Sequence, residues 1–527
     1  MLLGLFDRLW TPTIIHSALA LAIYTLRHVA SDRPLYALLL ANGAYYAKLA
    51  VTAITEEHKI DALGKRAPSR RTWTPWNIGM LFSAVWYFSR HRNHEWWDSM
   101  FELWGNKNMP YTVESVIIGG RMIFTADEEV QYQGSVTCSY TDFIAGIFTT
   151  DGDQWHASRG LLRPQFIKDR VSDLQTFEKH TQVLIRLLAG SHNGATVRAD
   201  DLFYRYTLDA ATDFLLGKSV QSLENGETEF AQAFADVQNT QSYIARLGPV
   251  RWLIPMEKFR RGLKVINRFV GAYIDRALQL PPDELEKITK SDEGYTFLHA
   301  LASYTRDRDI LRDQLVAVLL AGRDTTAVTL SWLFYELSRA PQVVEKLRDE
   351  IMTFVGPEQQ PTYDNLKSMR YLQHTLNEIL RLYPVVPYNV RVALRDTTLP
   401  HGGGANGDEP IGILKDTPIG YSTLILQRRS DIYPPQASGF PDYLKFVPER
   451  WDGWTPKSWT YIPFNGGPRI CIGQQFALTE LAYTLVRILQ TFERVECRMD
   501  EFPMLKTDIV LQPALGVDIA FLRSEKQ

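Results

Sequence analysis

Apolar residues recur at helical spacing along most of the chain. Val171–Leu188, Phe230–Val237, Lys258–Leu280 and Gln342–Val355 each keep an apolar face at intervals of three and four, which predicts amphipathic helices. The longest such pattern is Asp309–Ala340, stopped by Pro341, with Leu311, Leu315, Leu319, Leu330, Leu333 and Leu337 near one face. At 1.5 Å per residue it predicts a helix about 45 to 50 Å long. Helical spacing returns at Gly473 and lasts to about Phe492. Two stretches break the pattern: Val113–Phe124 reads as short strands about a Gly119-Gly120 turn, and Val385–Pro435 as short extended runs among Pro and Gly. The expected fold class is mainly α with a small β-sheet lobe, without internal repeats.

The first sixty residues differ from the rest. Ile14–Leu26 is apolar, and Pro34–Ile54 is a second apolar run interrupted by Asn42, Gly43 and Lys48. Each approaches the roughly 20 residues that span a bilayer. Trp10, Tyr24, Tyr45 and Tyr46 suit the interface, and Lys59, Lys65, Arg66, Arg70 and Arg71 follow, which places what comes after on the cytosolic side. No small-residue cleavage site follows the first run, so an uncleaved anchor over residues 1–55 is expected. A buried core hairpin is the alternative. Residues 56–110, rich in Trp, read as a linker and docking segment, and residues 111–527 as the catalytic body.

Composition narrows the class. A formal charge of -3 without a long basic run excludes a nucleic-acid footprint, so the partner is a small molecule. Three cysteines, Cys138, Cys471 and Cys497, are too few for a disulfide framework and suit a reducing compartment, as does the lack of an Asn-x-Ser/Thr sequon. Cys138 and Cys497 read as small buried hydrophobes.

Cys471 is different because of its surroundings. It stands in Phe464-Asn465-Gly466-Gly467-Pro468-Arg469-Ile470-Cys471-Ile472-Gly473, directly before the last helical pattern. Glycines let the loop turn tightly. A helix N-terminus lowers a thiol's pKa, and a thiolate so placed can ligate iron and push electron density toward it. The segment meets Phe-x-x-Gly-x-Arg-x-Cys-x-Gly at every fixed position and resembles the haem-binding loop of the cytochrome P-450 superfamily. That resemblance implies haem b ligated by Cys471, with the loop beneath it and the long central helix over it. It also implies Arg469 at a propionate, and Phe464 and Gly473 packed about the sulfur.

Further motifs fall in the superfamily's order. Within the long helix, Ala321-Gly322-Arg323-Asp324-Thr325-Thr326 resembles the oxygen-activation motif, whose implied role for Asp324 and Thr325 is proton relay. Gly and Thr there are expected to distort the helix locally. Glu378-Ile379-Leu380-Arg381 alone reads as a surface ion pair. With Pro448-Glu449-Arg450-Trp451 following, it resembles the buried network that holds the cysteine segment, formed by Glu378, Arg381 and Arg450. Trp451 stands where the family more often has Phe. Trp155 and Arg159, four apart on one helix face, resemble the propionate-binding tryptophan-arginine pair, and Arg391 resembles a further propionate ligand from the sheet.

Other signals carry less. Gly402, Gly404 and Gly407 satisfy G-x-G-x-x-G, but Pro410 and Pro418 bracket the next run and no helix follows, so a hairpin loop is expected, not a dinucleotide site. Electrons then come from NADPH through a cytochrome P-450 reductase, with cytochrome b5 as a second candidate donor. His91 and His94, three apart on an expected helix, read as a solvated basic face, not a metal site.

Longer stretches, including Gly146–Gly152, Thr398–Gly404, Arg428–Tyr433 and Cys471–Leu478, resemble the fungal branch that hydroxylates n-alkanes and fatty acids at the chain end. The resemblance implies an enzyme of the endoplasmic reticulum membrane with its catalytic domain in the cytosol. Chain-end attack needs a narrow channel that holds the weaker internal C–H bonds away; Val386 and Tyr388 are candidate channel residues, and Leu202–Pro255 the candidate entrance. The alternative is an oxygenase tailoring a polyketide or terpenoid in a fungal pathway. An isomerase or dehydratase needing no dioxygen is disfavoured by the Asp324-Thr325 pair, and a non-catalytic haem sensor by that pair and the anchor. Ala321 stands where some animal fatty-acid hydroxylases have a Glu that esterifies the haem. Acidified organic solvent should therefore extract the haem completely, and haem retained on the denatured chain would contradict this.

Overall fold

The helical spacing resolves into elements close to those expected: Gln175–Leu188, Glu229–Leu247, Glu257–Gln279, Arg308–Leu337, Pro341–Phe354 and Gln474–Thr491. The computed structural model describes residues 32–524 apart from 71, 73, 75–76, 106–108, 118–119, 129–135, 138–145, 167–173, 227, 248–253 and 291–295. Ile14–Leu26, Trp10, Tyr24, Arg71, Gly119 and Cys138 therefore lie outside the described residues. The chain forms two compact units: residues up to Thr137 with Tyr388–Leu426, and Cys138–Pro387 with Gln427–Gln527.

The larger unit is built around the Arg308–Leu337 helix. Asp307 caps it, its side chain accepting from the amides of Asp309 and Ile310, which satisfies donors that a helix start leaves orphaned and contributes about 0.5–2 kcal/mol. The helix packs chiefly on Ala199–Leu216, where Phe334 stacks on Phe203 at 5.3 Å. Near its end Trp332 stacks on Tyr383 at 4.2 Å and donates to the Leu511 carbonyl at 2.8 Å. The helix runs without interruption through Gly322. Instead the Thr325 hydroxyl donates to the Ala321 carbonyl at 2.6 Å and Thr329 to Thr325 at 2.7 Å. Each hydroxyl bonds within the helix, so the ladder is shared, not broken. A three-stranded antiparallel sheet closes the unit, Asp518–Leu522 lying between Thr196–Arg198 and Arg494–Cys497.

The smaller unit holds a five-stranded sheet in the order Thr112–Ile117, Gly120–Thr125, Pro418–Ser422, Tyr388–Ala393 and Val136–Thr137. The G-x-G-x-x-G segment joins the antiparallel strands Thr397–Gly403 and Glu409–Ile413. All three glycines have positive φ, at 100°, 74° and 76°, as a tight hairpin demands and a phosphate-binding helix start does not. The Trp-rich segment forms two helices, Ile78–Ser89 and Asn93–Trp104. Trp96 and Trp97 are buried edge-on against Phe124, whereas Phe82 and Leu103 are each 71% exposed. His91 is not helical: it sits between these helices with φ 57°, apart from the face that carries His94. Pro34–Ile54 lies within the Asp32–Leu63 helix. Among the described residues no helix is long and apolar enough to cross a membrane.

Candidate active site

The cysteine loop is held by its own backbone. The Cys471 amide donates to the Phe464 carbonyl at 2.9 Å, and Ile470 N–H to Gly467 at 3.1 Å. Two glycines are required there. Gly467 has φ 69°, and a Cβ on Gly466 would stand 2.3 Å from the Trp459 ring. The Gln474–Thr491 helix starts just beyond, with Gly473 as its cap. Phe476 on its first turns meets Phe166, Phe177 and Phe214 with ring centroids 4.7–6.3 Å apart.

An ion network holds the segment that precedes this loop. Arg381 makes a bidentate pair with Glu378 at 2.8 and 2.9 Å, and Arg450 Nε reaches the same carboxylate at 2.8 Å. The Val447 amide and Trp451 Nε1 donate to it as well, at 3.0 and 3.1 Å. Trp451 thus adds a bond that Phe could not make. The guanidiniums spend their other donors on the carbonyls of Asp442, Tyr443 and Lys445. Arg381 and Arg450 therefore clamp the 442–451 segment that leads into the cysteine loop.

Arg159 and Trp155 share the Gly152–Leu162 helix as expected. Arg159 donates to the Ile470 carbonyl at 3.1 Å, and both Arg159 and Arg469 lie over the Trp155 ring, at 5.6 and 4.6 Å. Arg469 bonds the Thr150 carbonyl at 2.8 Å and Asp151 at 2.6 Å, tying the loop to the start of that helix. In the smaller unit, Tyr388 stacks on Trp97 at 5.0 Å, and Arg391 bonds Asn389 and lies over Tyr421. Val386 is half-buried just after the Arg370–Leu382 helix.

The Cys471 side chain is exposed, yet burial pushes its thiol pKa up, against the opposite pull of the Gly473 amide and the Arg159 charge. This corrects the expectation of a lowered pKa. Desolvation outweighs the helix end, and only a cation on the sulfur would reverse the balance. The thiol is thus accessible although set among protein atoms. Ile470, 38% exposed, and the half-buried Phe464 add apolar wall. On the central helix Val318, Ala321, Gly322 and Thr325, which share one face, are partly accessible, whereas Thr326 to Tyr335 are all buried. A lone sulfur ligand, apolar walls and nearby guanidiniums fit an iron porphyrin carrying carboxylates.

Asp324 and Thr325 are not brought together. Thr325 lies on the accessible face, whereas Asp324 is buried and paired with Arg323 at 3.1 Å. Burial raises the Asp324 pKa, and Arg323 and Gln238 oppose that rise. Sequence reasoning missed Glu480. It is 2% exposed, bonds Thr326 across to the central helix, and is pushed up to about 8 by burial.

Two stability outcomes follow from these geometries. Removing Glu378 strands two buried guanidiniums, so Glu378→Ala should lose about 3–5 kcal/mol in chemical unfolding, and Trp451→Phe about 1.5–3 kcal/mol. Because the Glu480 pKa is raised in the folded state, the folded protein binds the extra proton and wild-type stability falls as pH rises from the ordinary carboxylate range toward 8. Glu480→Gln should remove that loss, so its advantage over wild type grows between pH 6 and 8.5. A constant difference would show that Glu480 does not titrate there.

Comparison with known proteins agrees with this geometry. The family model described as "Cytochrome P450" matches residues 109–520. The chain is 47% identical over 89% of its length to cytochrome P450 monooxygenase pvhE of Talaromyces variabilis, covering 92% of that protein. It is 45% identical to cytochrome P450 52A1 of Candida tropicalis over 72% of its length and 74% of that protein, and 40% identical to cytochrome P450 52A4 of Candida maltosa over 79% and 83%. A loop that presents one accessible thiol, preceded by a segment held in a buried Glu-Arg-Arg clamp, within a match spanning most of the chain, places this protein in the cytochrome P450 family of haem-thiolate monooxygenases.

Proposed function

We infer that this monooxygenase hydroxylates the end of a long apolar chain, a fatty acid or n-alkane, at the surface of the endoplasmic reticulum membrane. The observation that carries the chemistry is the accessible Cys471 thiol on a loop fixed by its own amides and by the Glu378 clamp. Haem, when bound, supplies dioxygen activation. Cys471 would hold its iron, Trp155, Arg159 and Arg469 would bind its propionates, and Phe464 would keep water from the sulfur. Thr325 would hold a proton on the accessible face. Electrons come from NADPH through a membrane reductase, with cytochrome b5 as a second donor.

The membrane placement rests on the apolar run Ile14–Leu26 and on the exposed Phe82, Val85, Trp86, Leu103 and Trp104 of the docking helices. An alkyl substrate partitions into a bilayer, so an anchored enzyme meets it at high local concentration. Val386 and Tyr388 are the proposed channel residues.

The test is NADPH- and dioxygen-dependent turnover of lauric acid and hexadecane by the reconstituted enzyme, with product position read by mass spectrometry. Hydroxylation at the chain end is expected. A normal carbon monoxide spectrum with no product from either compound would move the assignment to a polyketide or terpenoid. Cys471→Ser should abolish the thiolate Soret signature. Thr325→Ala should lower product per NADPH by about tenfold or more while total NADPH oxidation persists, and unchanged coupling would remove Thr325 from the relay.

A further inference from the structure

Trp459 combines an unfavourable backbone with a demanding contact. Its φ is 69°, in the left-handed region that bulky side chains rarely enter, and such a conformation persists only where its surroundings enforce it. Just after it, the Thr460 amide and hydroxyl both donate to the Lys457 carbonyl, at 3.1 and 2.7 Å. The Tyr461 hydroxyl donates to the Asn377 carbonyl at 3.2 Å, and the Ile462 amide to Gln427 Oε1 at 3.0 Å. Tyr461 also meets Trp451 edge-on at 5.0 Å, and Trp451 donates to the Glu378 carboxylate at 3.1 Å. The backbone that carries the Trp459 indole is thus tied to the same framework as the ion clamp.

The other side of the contact is Gly466. Its φ of -145° and ψ of 172° are extended values that any residue adopts, so the backbone does not require glycine there. Nor does the pattern Phe-x-x-Gly-x-Arg-x-Cys-x-Gly, in which this position is unspecified. Space requires it: a Cβ on Gly466 would stand 2.3, 2.6 and 3.1 Å from three atoms of the six-membered ring of Trp459. Gly467 differs, since its Cβ would lie 3.8 Å from that ring but its φ is 69°. Asn465, on the other side, has φ 65°, and the chain then closes through the Cys471 amide on the Phe464 carbonyl at 2.9 Å. The flat ring therefore bears on the middle of the turn that ends at the sulfur ligand. We propose that Trp459 is a positioning residue for Cys471: its ring, held by a braced backbone, fixes the turn from Phe464 to Cys471 by pressing on Gly466, and each of the two residues is required by the other. Trp459 acts through the loop, without contact to the haem.

The test is a double-mutant cycle on the haem-loaded full chain, read by the carbon monoxide spectrum of the ferrous protein and by the rate of haem loss to apomyoglobin. Gly466→Ala should speed haem loss by about 10- to 100-fold, as when a supporting partner of a metal ligand is removed, and should replace the thiolate-type band by the displaced band of a broken sulfur bond. Trp459→Gly removes the ring and relieves the left-handed backbone, yet it should speed haem loss as well. Trp459→Phe, which keeps an aromatic face, should stay close to wild type. In the Trp459→Gly background, Gly466→Ala should add nothing further. Equal damage from Gly466→Ala in both backgrounds would overturn the pairing. A wild-type spectrum and wild-type haem loss in Trp459→Gly would overturn the positioning role, and a lowered unfolding midpoint beside them would leave Trp459 a packing residue only. Should Gly466→Ala not fold, the contrast between Trp459→Gly and Trp459→Phe decides.

Discussion

Glu378 carries the heaviest constraint in the molecule. Its carboxylate and the guanidiniums of Arg381 and Arg450 have side chains 0–1% exposed, where removing a charge from water costs several kcal/mol per ion. That penalty is offset only when every donor and acceptor is matched, and here five donors converge on one carboxylate while spare guanidinium donors go to the carbonyls of Asp442, Tyr443 and Lys445. Any register but the native one leaves a buried charge unmatched. The position of the 442–451 segment, and of the loop that follows it, is therefore set by electrostatics more than by packing.

How much of this was legible in the sequence depended on distance along the chain. Cys471, its glycines and the helix after it are contiguous, so their pattern reads directly, and so does the helix from Arg308 to Leu337. Glu378 and Arg381 read correctly only in company with Arg450, because a pair three apart on a helix is ordinarily a surface feature. Trp451 looked like a neutral replacement. Its indole N–H turns out to serve the buried carboxylate, which nothing in the local sequence signals. The division of the chain also escaped, since Tyr388–Leu426 joins residues before Thr137 through strand pairing at long separation.

Glu480 could have been noticed as the one acid of the Gln474–Thr491 helix, nine residues past Cys471. Adjacent residues on one helix also part company. A turn of about 100° per residue puts Thr325 on the accessible face and Asp324 on the buried side.

The clamp also has a temporal meaning. Arg450 and the cysteine lie in the last fifth of the chain, and the strand Asp518–Leu522 must return to pair with Thr196–Arg198 before the larger unit closes. A ribosome has released nearly the whole polypeptide by the time those partners exist. Pigment acquisition is thus a late act of biogenesis, performed on a chain already translated and, where anchored, already delivered to its membrane.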